Sequence, residues 1–228
     1  LTVTKQSSSN RDLSQNPIHF EVEISPQTGY VQSQFIVTMR LTHSVSIQEL
    51  SKLEPQIEDA IVVPLGEPSQ FTRRDNNRTY GVYEVRFAVF PQKSGILQIP
   101  AQQLQARITT GRSRFSMFSD SKVVSRLSEP ATLTVTPRDP DFKGNHWLPA
   151  KNIQLSQRWS SAPETFKVGE AITRTITLTA EGLTAEQLPQ IDIPLPKNIK
   201  AYPEPVDRNS SSKGNSLVSS AEIKTAII

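Results

Sequence analysis

The stretch Phe-Ile-Val-Thr-Met-Arg-Leu at Phe35–Leu41 carries apolar side chains at every second position, 35, 37, 39 and 41, and a similar stretch, Ile-Thr-Arg-Thr-Ile-Thr-Leu, lies 137 positions later at Ile172–Leu178. Alternation with a period of two puts one face of a strand into a core and the other into water. A repeat distance above about 100 residues suits repeated whole domains, because solenoid repeats are only about 20–50 residues long. Identical residues recur at this offset: Pro26, Thr28, Val31, Thr38 and Leu41 return as Pro163, Thr165, Val168, Thr175 and Leu178. Two related β-modules in series favour binding or scaffolding over catalysis.

Length and composition limit the number of domains and the kinds of site that the chain can contain. A chain of 228 residues has room for about two domains. Its 17 prolines and 9 glycines cluster between the alternating runs, where turns and strand ends need them. The sequence has no apolar run of about 18 residues that could form a membrane-spanning helix. Cysteine is absent, which excludes disulfides, thiolate zinc sites and a cysteine nucleophile.

The order of the alternating runs predicts the domain organisation. Short strands with turns every 8–12 residues or so are typical of immunoglobulin-like sandwiches. We therefore predict an all-β chain of tandem immunoglobulin-like antiparallel β-sandwiches. The predicted parts are residues 1–16, the tail of a preceding domain with a linker; 17–137, the first sandwich; 138–148, a Pro-rich linker; and 149–228, a second sandwich. The last run of the second copy resembles Val85–Phe90 of the first, after which the first copy continues into further strands. We therefore expect the second sandwich to be incomplete at its C-terminus.

Two local features carry more specific expectations. Leu50 and Leu53 lie three positions apart, which favours a single helical turn over residues 48–53. Trp147 and Trp159 flank the start of the second sandwich, and we expect both to cover the seam between the domains, since aromatic side chains bury large areas; the alternative is that they stack on a ligand.

Residues that could support catalysis or metal binding are scattered. His19, His43 and His146 lie on separate segments without carboxylates at ligand spacing. Residues 139–150 begin like a calcium loop, with Asp139 and Asp141, but lysine stands at the fifth position and alanine at the twelfth. Nucleophile-elbow, phosphate-loop and dinucleotide sequences are absent. The sequence therefore predicts a protein that is not an enzyme and uses no metal, cofactor or small-molecule substrate.

One basic segment interrupts the regular strand plan. Residues 103–128 hold five cationic side chains against one carboxylate, a local charge of +4: Arg107, Arg112, Arg114, Lys122 and Arg126 against Asp120. Within it, Arg112, Arg114, Phe115 and Phe118 combine charge with aromatic surface. One interpretation is a solvated β-hairpin extension whose aromatic residues fold back on the domain. The other is a contact with a protein partner or a membrane surface, because Arg and aromatic residues are enriched in interface hot spots. Nucleic acid is not predicted, since five cations without a groove-reading fold are weak support.

Several short strings, taken in order, carry a family resemblance. They are the run Tyr80–Gly95 followed by Leu-Gln-Ile-Pro at 97–100, Trp-Leu-Pro-Ala at 147–150, Val-Gly-Glu at 168–170 with the repeat strand, Gly-Leu-Thr-Ala-Glu-Gln-Leu-Pro at 182–189, and Ala-Tyr-Pro-Glu at 201–204. In this order they resemble the BatD family of bacterial oxygen-tolerance, or aerotolerance, proteins. The resemblance covers roughly residues 17–228, and the strings at 147–150 and 182–189 are its most specific parts.

The resemblance implies a location and a set of partners. Members of the family are envelope proteins with a secretion signal, tandem immunoglobulin-like domains in the periplasm and a C-terminal transmembrane helix. They are encoded beside von Willebrand factor A-type proteins and a MoxR-type AAA+ ATPase, and have no established catalytic activity. The chain is accordingly expected on the periplasmic side of the bacterial inner membrane, as an interaction or scaffold module that holds protein partners in a membrane-associated complex.

A second class of function stays open at this point. A carbohydrate-binding or adhesin-like module could be built on the same fold. It would need coplanar exposed aromatic side chains on one sheet, and the chain has 7% aromatic residues with only two tryptophans.

Overall fold

The computed structural model of the protein describes residues 16–75, 77–112, 119–167, 169–191, 196 and 199–228. Nearly all regular structure in this part is β-strand, and its helical elements are two 3-10 turns, Pro163–Thr165 and Ala185–Gln187. The predicted all-β sandwich class is confirmed.

The N-terminal module has two layers. One layer is a five-stranded sheet of order β1-β3-β7-β5, with β6 also paired to β7; the other combines two three-stranded sheets, β10-β9-β4 and β2-β11-β8. All pairs are antiparallel except β2 with β11, which is parallel. The strands are β1 (Ile18–Ser25), β2 (Thr28–Tyr30), β3 (Phe35–His43), β4 (Ile47–Leu50), β5 (Ala60–Pro64), β6 (Ser69–Asp75), β7 (Arg78–Pro91), β8 (Gly95–Ile99), β9 (Gln103–Arg112), β10 (Ser119–Leu127) and β11 (Ala131–Thr136).

The main core lies between these two layers. On β3 the alternate residues Phe35, Val37, Met39 and Leu41 are buried, as the sequence pattern predicts. They pack in one apolar cluster with residues of the opposite layer, including Leu104. Full burial of side chains of this kind stabilises a fold by about 1.5–3 kcal/mol each.

The C-terminal module contains a sheet of the same order, β12-β13-β16-β14, with β15 also paired to β16. Strand β13 begins 137 positions after β3, so the sequence repeat corresponds to strands in equivalent positions. The 3-10 turn at Ala185–Gln187 lies over one end of this sheet, beside a cluster of five buried residues that includes Leu183 and Leu188. The strands are β12 (Asn152–Trp159), β13 (Ile172–Glu181), β14 (Ala201–Pro203), β15 (Asp207–Lys213) and β16 (Ser216–Ile227).

The two equivalent sheets differ in how their first strands are covered. Phe20 on β1 lies opposite Leu41, and Leu155 on β12 lies opposite Leu178, the repeat counterpart of Leu41. Phe20 is only 5% exposed because the second layer packs over it, whereas Leu155 is 64% exposed. Within the described residues, β12 therefore keeps apolar side chains on the surface.

A compact junction joins the modules. Leu217 at the start of β16 is buried in a cluster with Leu65, Ala88 and Phe90 of the N-terminal module. The Gln187 side chain donates a hydrogen bond to the Gln32 carbonyl at 2.9 Å. These contacts fix one module against the other through both apolar packing and hydrogen bonds.

The linker tryptophan lies at this junction. The Trp147 indole N–H donates to the Val31 carbonyl at 3.1 Å, and its ring makes edge-to-face contacts with Tyr30 and Phe142. The expectation for Trp159 was wrong: its ring packs against Phe166 and under the Arg174 guanidinium, at the edge of the C-terminal sheet.

The helical turn predicted at residues 48–53 was also wrong. Ile47–Leu50 forms strand β4, which pairs with β9 through a register shift between Ile47 and Glu49. The spacing of Leu50 and Leu53 suits a helix locally. The edge of β9, however, offers backbone hydrogen-bond partners to residues 47–50, and this pairing cannot be read from short-range spacing. The shift at Gln48 also obscures the alternation by which a strand is recognised.

Candidate partner-contact surface

One long β-hairpin carries the basic segment. Ile99 pairs with Ala131, Gln103 with Leu127, and Thr109 with Ser121, so the same register continues through both halves of the hairpin. Its two arms are therefore β8 followed by β9, and β10 followed by β11, each interrupted by three residues that are not in strand. The long hairpin is a single structural arm running from one end of the module to the other.

A buried glutamine fixes this arm where its strands are interrupted. Gln102 is 4% exposed, and its backbone N–H donates to the Ser128 hydroxyl at 2.9 Å. Its side-chain oxygen accepts a hydrogen bond from the Gln56 N–H at 2.9 Å, and its side-chain nitrogen donates to the Pro100 carbonyl at 2.7 Å. These bonds satisfy a buried amide and tie the middle of the hairpin to the neighbouring loop.

The far end of the hairpin projects beyond the sheet. The last described pairing of β4 is Ile47 with Ile108, and the Thr109 N–H then donates to the Ser46 carbonyl at 3.0 Å. Beyond that point β9 and β10 pair only with each other, up to Arg112 with Ser119. Three more residues at about 3.3 Å each extend the two-stranded ribbon by roughly 10 Å.

One of the four predicted contact residues lies at this projecting end. Arg112 is the last residue of β9, so its backbone stands at the tip of the ribbon. Arg114, Phe115 and Phe118 lie outside the described residues, in the segment that connects Arg112 to Ser119. The structure thus places the Arg112 backbone at the end of a stalk, and contact of the four side chains with a partner stays a prediction.

A cleft that the sequence did not indicate opens beside the same end of the module. Its volume is about 580 Å³, and it lies between the free edge of β4 and the hairpin of β6 and β7. Its lining is mixed, with apolar, amide, hydroxyl and imidazole groups: Ile47, Leu50, Gln70, Thr72, Tyr83 and His43.

The His43 imidazole lies close against Gly81 in this cleft. A Cβ atom added at Gly81 would lie 2.4 Å from the ring, so the close approach requires glycine. His43 Nδ1 is 2.7 Å from the Val45 carbonyl oxygen. Because a carbonyl only accepts, Nδ1 carries the proton, which makes Nε2 an acceptor in the neutral ring.

An ion-pair network covers the outer face of the same sheet. Arg40 Nη1 lies 2.9 Å from a Glu21 oxygen and Arg40 Nε lies 2.8 Å from a Glu84 oxygen. The hydrogen bond from His19 and the bond and charge of Arg40 lower the pKa of Glu21 to about 2, although its burial opposes the shift. Burial acts to lower the pKa of Arg40, but its bonds to Glu21 and Glu84 outweigh this and raise it. Each charge has its partner within the protein, so this network stabilises the sheet.

The residues considered for metal binding are not brought together. Within the described part of the chain, groups of three or more His, Asp or Glu that could hold a metal ion do not occur. The Asp139 carboxylate instead accepts a hydrogen bond from the Asp141 N–H at 2.9 Å, as in a local turn. His19 lies on β1 and His43 on the neighbouring strand β3. Their positions in the strand pairing put the two side chains on opposite faces of the sheet.

No protein-family model matches the chain, and no curated protein matches it either. The described residues include no helix long and apolar enough to cross a membrane.

Proposed function

We propose that this chain is a non-enzymatic interaction module of the bacterial envelope, whose tandem immunoglobulin-like sandwiches hold protein partners in a membrane-associated complex. The projecting hairpin that ends at Arg112 is the observation that carries the proposal. The buried Gln102 fixes the middle of this hairpin against the module, so the arm itself needs little ordering when a partner binds at its far end.

The strand order of the N-terminal module supports the immunoglobulin-like part of the proposal. In that fold the first, second, fifth and fourth strands form one sheet, and the third, sixth and seventh form the other. The order β1-β3-β7-β5 with β6 corresponds to the first sheet, when β5 and β6 count as one interrupted strand. The sheet containing β4, β9 and β10, continued by β8 and β11, corresponds to the second. The equivalent order of the C-terminal sheet supports a second unit of the same kind.

The proposed partners follow from the BatD resemblance of the sequence strings at 147–150 and 182–189. They are von Willebrand A-type proteins and the MoxR-type ATPase system, in a process linked to stress or oxygen tolerance on the periplasmic side of the inner membrane. The junction between the modules supports a scaffold role, because a fixed angle between two domains presents two surfaces in a constant relative position.

Co-purification tests the proposal. The tagged chain is mixed with each product of the genes encoded beside its own, and bound proteins are identified after washing. The proposal predicts that a von Willebrand A-type protein is retained. If none is retained and the chain binds a sugar on a glycan array, the carbohydrate-binding alternative replaces it.

A further inference from the structure

Strand β6 is a regular strand with one free edge. It pairs with β7 over seven residue pairs, from Ser69 with Glu84 to Asp75 with Arg78, without a register shift. Among the described strands β7 is its only partner, and residues 70–74 are all exposed. A straight edge strand of this length, without proline or a bulge, is a template for the addition of another strand.

The backbone groups that such a strand would use can be assigned. The Leu65 N–H donates to the Arg86 carbonyl at 2.8 Å, so even-numbered residues of β7 direct their backbone groups towards β5 and β6. These residues pair with the odd-numbered residues of β6. Because the direction alternates along a strand, Gln70, Thr72 and Arg74 direct their N–H and C=O groups towards the free edge.

The two faces beside this edge have different chemistry. Gln70 and Thr72 lie opposite Tyr83 and Gly81, and all four line the cleft. Phe71 also borders the cleft, but alternation along the strand puts its side chain on the other face, where it is 48% exposed. An added strand would therefore place alternate side chains over the cleft and against the Phe71 ring.

The edge is positively charged. Residues 69–80 hold Arg73, Arg74 and Arg78 against Asp75, a net charge of +2. All three arginines are exposed, and within the described residues none of them makes an ion pair; Arg74 only donates a hydrogen bond to the Asn77 side chain. Like charges directly opposite each other in a sheet are destabilising, so the edge disfavours the register that sets Arg73 opposite Arg74 of a second copy. Opposite charges at the same positions are favourable.

We propose that the free edge of β6 binds an extended, acidic segment of a protein partner as an added β-strand, with alternate carboxylates on the face that carries Arg74 and apolar side chains on the face of Phe71. The inference rests on the proposed partner-binding role but uses a surface separate from the hairpin tip. The backbone of Gln70, Thr72 and Arg74 supplies affinity for any extended chain, and the arginines supply the preference for an acidic one.

The test uses the 228-residue chain and two capped, fluorescent heptapeptides, Thr-Glu-Val-Glu-Val-Glu-Thr and the same sequence with lysine in place of glutamate. We expect saturable binding of the acidic peptide and at least tenfold weaker binding of the lysine peptide by fluorescence anisotropy. Amide hydrogen exchange should slow at Gln70, Thr72 and Arg74 only when the acidic peptide is present.

Two variants, each with a matched control, separate the contribution of the backbone to peptide binding from that of the charge. Thr72→Pro removes one outward N–H but no bond to β7, and proline is tolerated where the N–H of an edge strand faces solvent. It should weaken binding of the acidic peptide at least tenfold, while Thr72→Val, which keeps the N–H, should not. Arg74→Glu should remove the preference for the acidic peptide, whereas Arg158→Glu, an exposed arginine on β12, should leave it intact.

The inference is overturned if the acidic peptide does not bind, if the lysine peptide binds equally well, or if Arg74→Glu leaves the preference unchanged. Unchanged binding by Thr72→Pro would overturn it as well. Peptide failure together with successful co-purification of a von Willebrand A-type protein would reject this edge and keep the proposed function. Peptide binding without co-purification would keep this edge as a site for acidic strands and reject the proposed function.

Discussion

The Gln34 side chain of the N-terminal module and the backbone of Leu217 in the C-terminal module share a buried hydrogen bond. The Leu217 N–H donates to Gln34 Oε1 at 2.8 Å, and Gln34 Nε2 donates to the Asn215 carbonyl at 3.0 Å. Gln34 is 5% exposed and Leu217 2%. One amide therefore satisfies both a donor and an acceptor across the junction, next to the apolar cluster around Phe90.

Gln34→Ala should destabilise the protein and loosen the junction. It leaves the buried Leu217 N–H without its partner, which costs about 1–3 kcal/mol. Chemical denaturation should show this loss, and small-angle scattering should show a broader range of module orientations. Gln154→Ala, on the exposed strand β12, is the control and should change the unfolding free energy by less than about 0.5 kcal/mol. Equal stability of the two variants would mean that the junction does not depend on this amide.

Gly81→Ala should force the His43 ring out of its position, since the new Cβ would lie 2.4 Å from it. Overpacking of this kind costs about 1–3 kcal/mol. His43→Ala in the same chain should relieve much of the cost, so that the two substitutions are not additive. A double-mutant cycle by chemical denaturation measures the coupling, which should lie between about 0.5 and 3 kcal/mol. If the effects of Gly81→Ala and His43→Ala on the unfolding free energy are strictly additive, the His43 ring moves out of the way at no cost.

Glu21 should make stability depend on pH under acidic conditions. Its folded-state pKa is about 2, against an ordinary value of 4.5. A carboxyl whose folded pKa is lowered contributes stability that is complete above its unfolded pKa and is lost as the pH falls through the folded value. The difference in unfolding free energy between wild type and Glu21→Gln should therefore shrink as the pH falls from 4.5 to 2. A constant difference through that window would contradict the assignment.

The sequence predicted the parts of the fold that are set by local alternation. Phe35–Leu41 and its repeat are strands in equivalent places because their apolar residues face a core at every second position. Strands β6 and β15 were missed because their residues are almost all polar and exposed, so they carry no alternation. Their strand form comes from the backbone ladder of β7 and β16, to which each is paired along its length.

The candidate site was predictable only in part. Charge and aromatic content pointed to the segment between Arg112 and Phe118, and the structure added that Arg112 ends a strand of a projecting hairpin. The cleft beside it could not be foreseen, because it brings together His43, Leu50, Thr72 and Tyr83 from four strands. Such a grouping depends on which strands pair, and pairing over a long sequence distance leaves no local pattern.

The measurement that tests the central claim most directly is the affinity of the chain for a von Willebrand A-type protein retained in the proposed co-purification, when the hairpin tip is changed. Alanine is placed at Arg112, Arg114, Phe115 and Phe118. The control carries alanine at two cationic and two apolar exposed residues elsewhere: Lys143, Arg158, Ile153 and Leu155.

Both variants should fold as wild type does, by circular dichroism and thermal unfolding. The account predicts that the tip variant binds the partner at least tenfold more weakly, since hot-spot residues each contribute about 2 kcal/mol or more, and that the control binds as wild type does. Wild-type affinity in the tip variant would contradict the claim that this module holds its partner through the projecting hairpin.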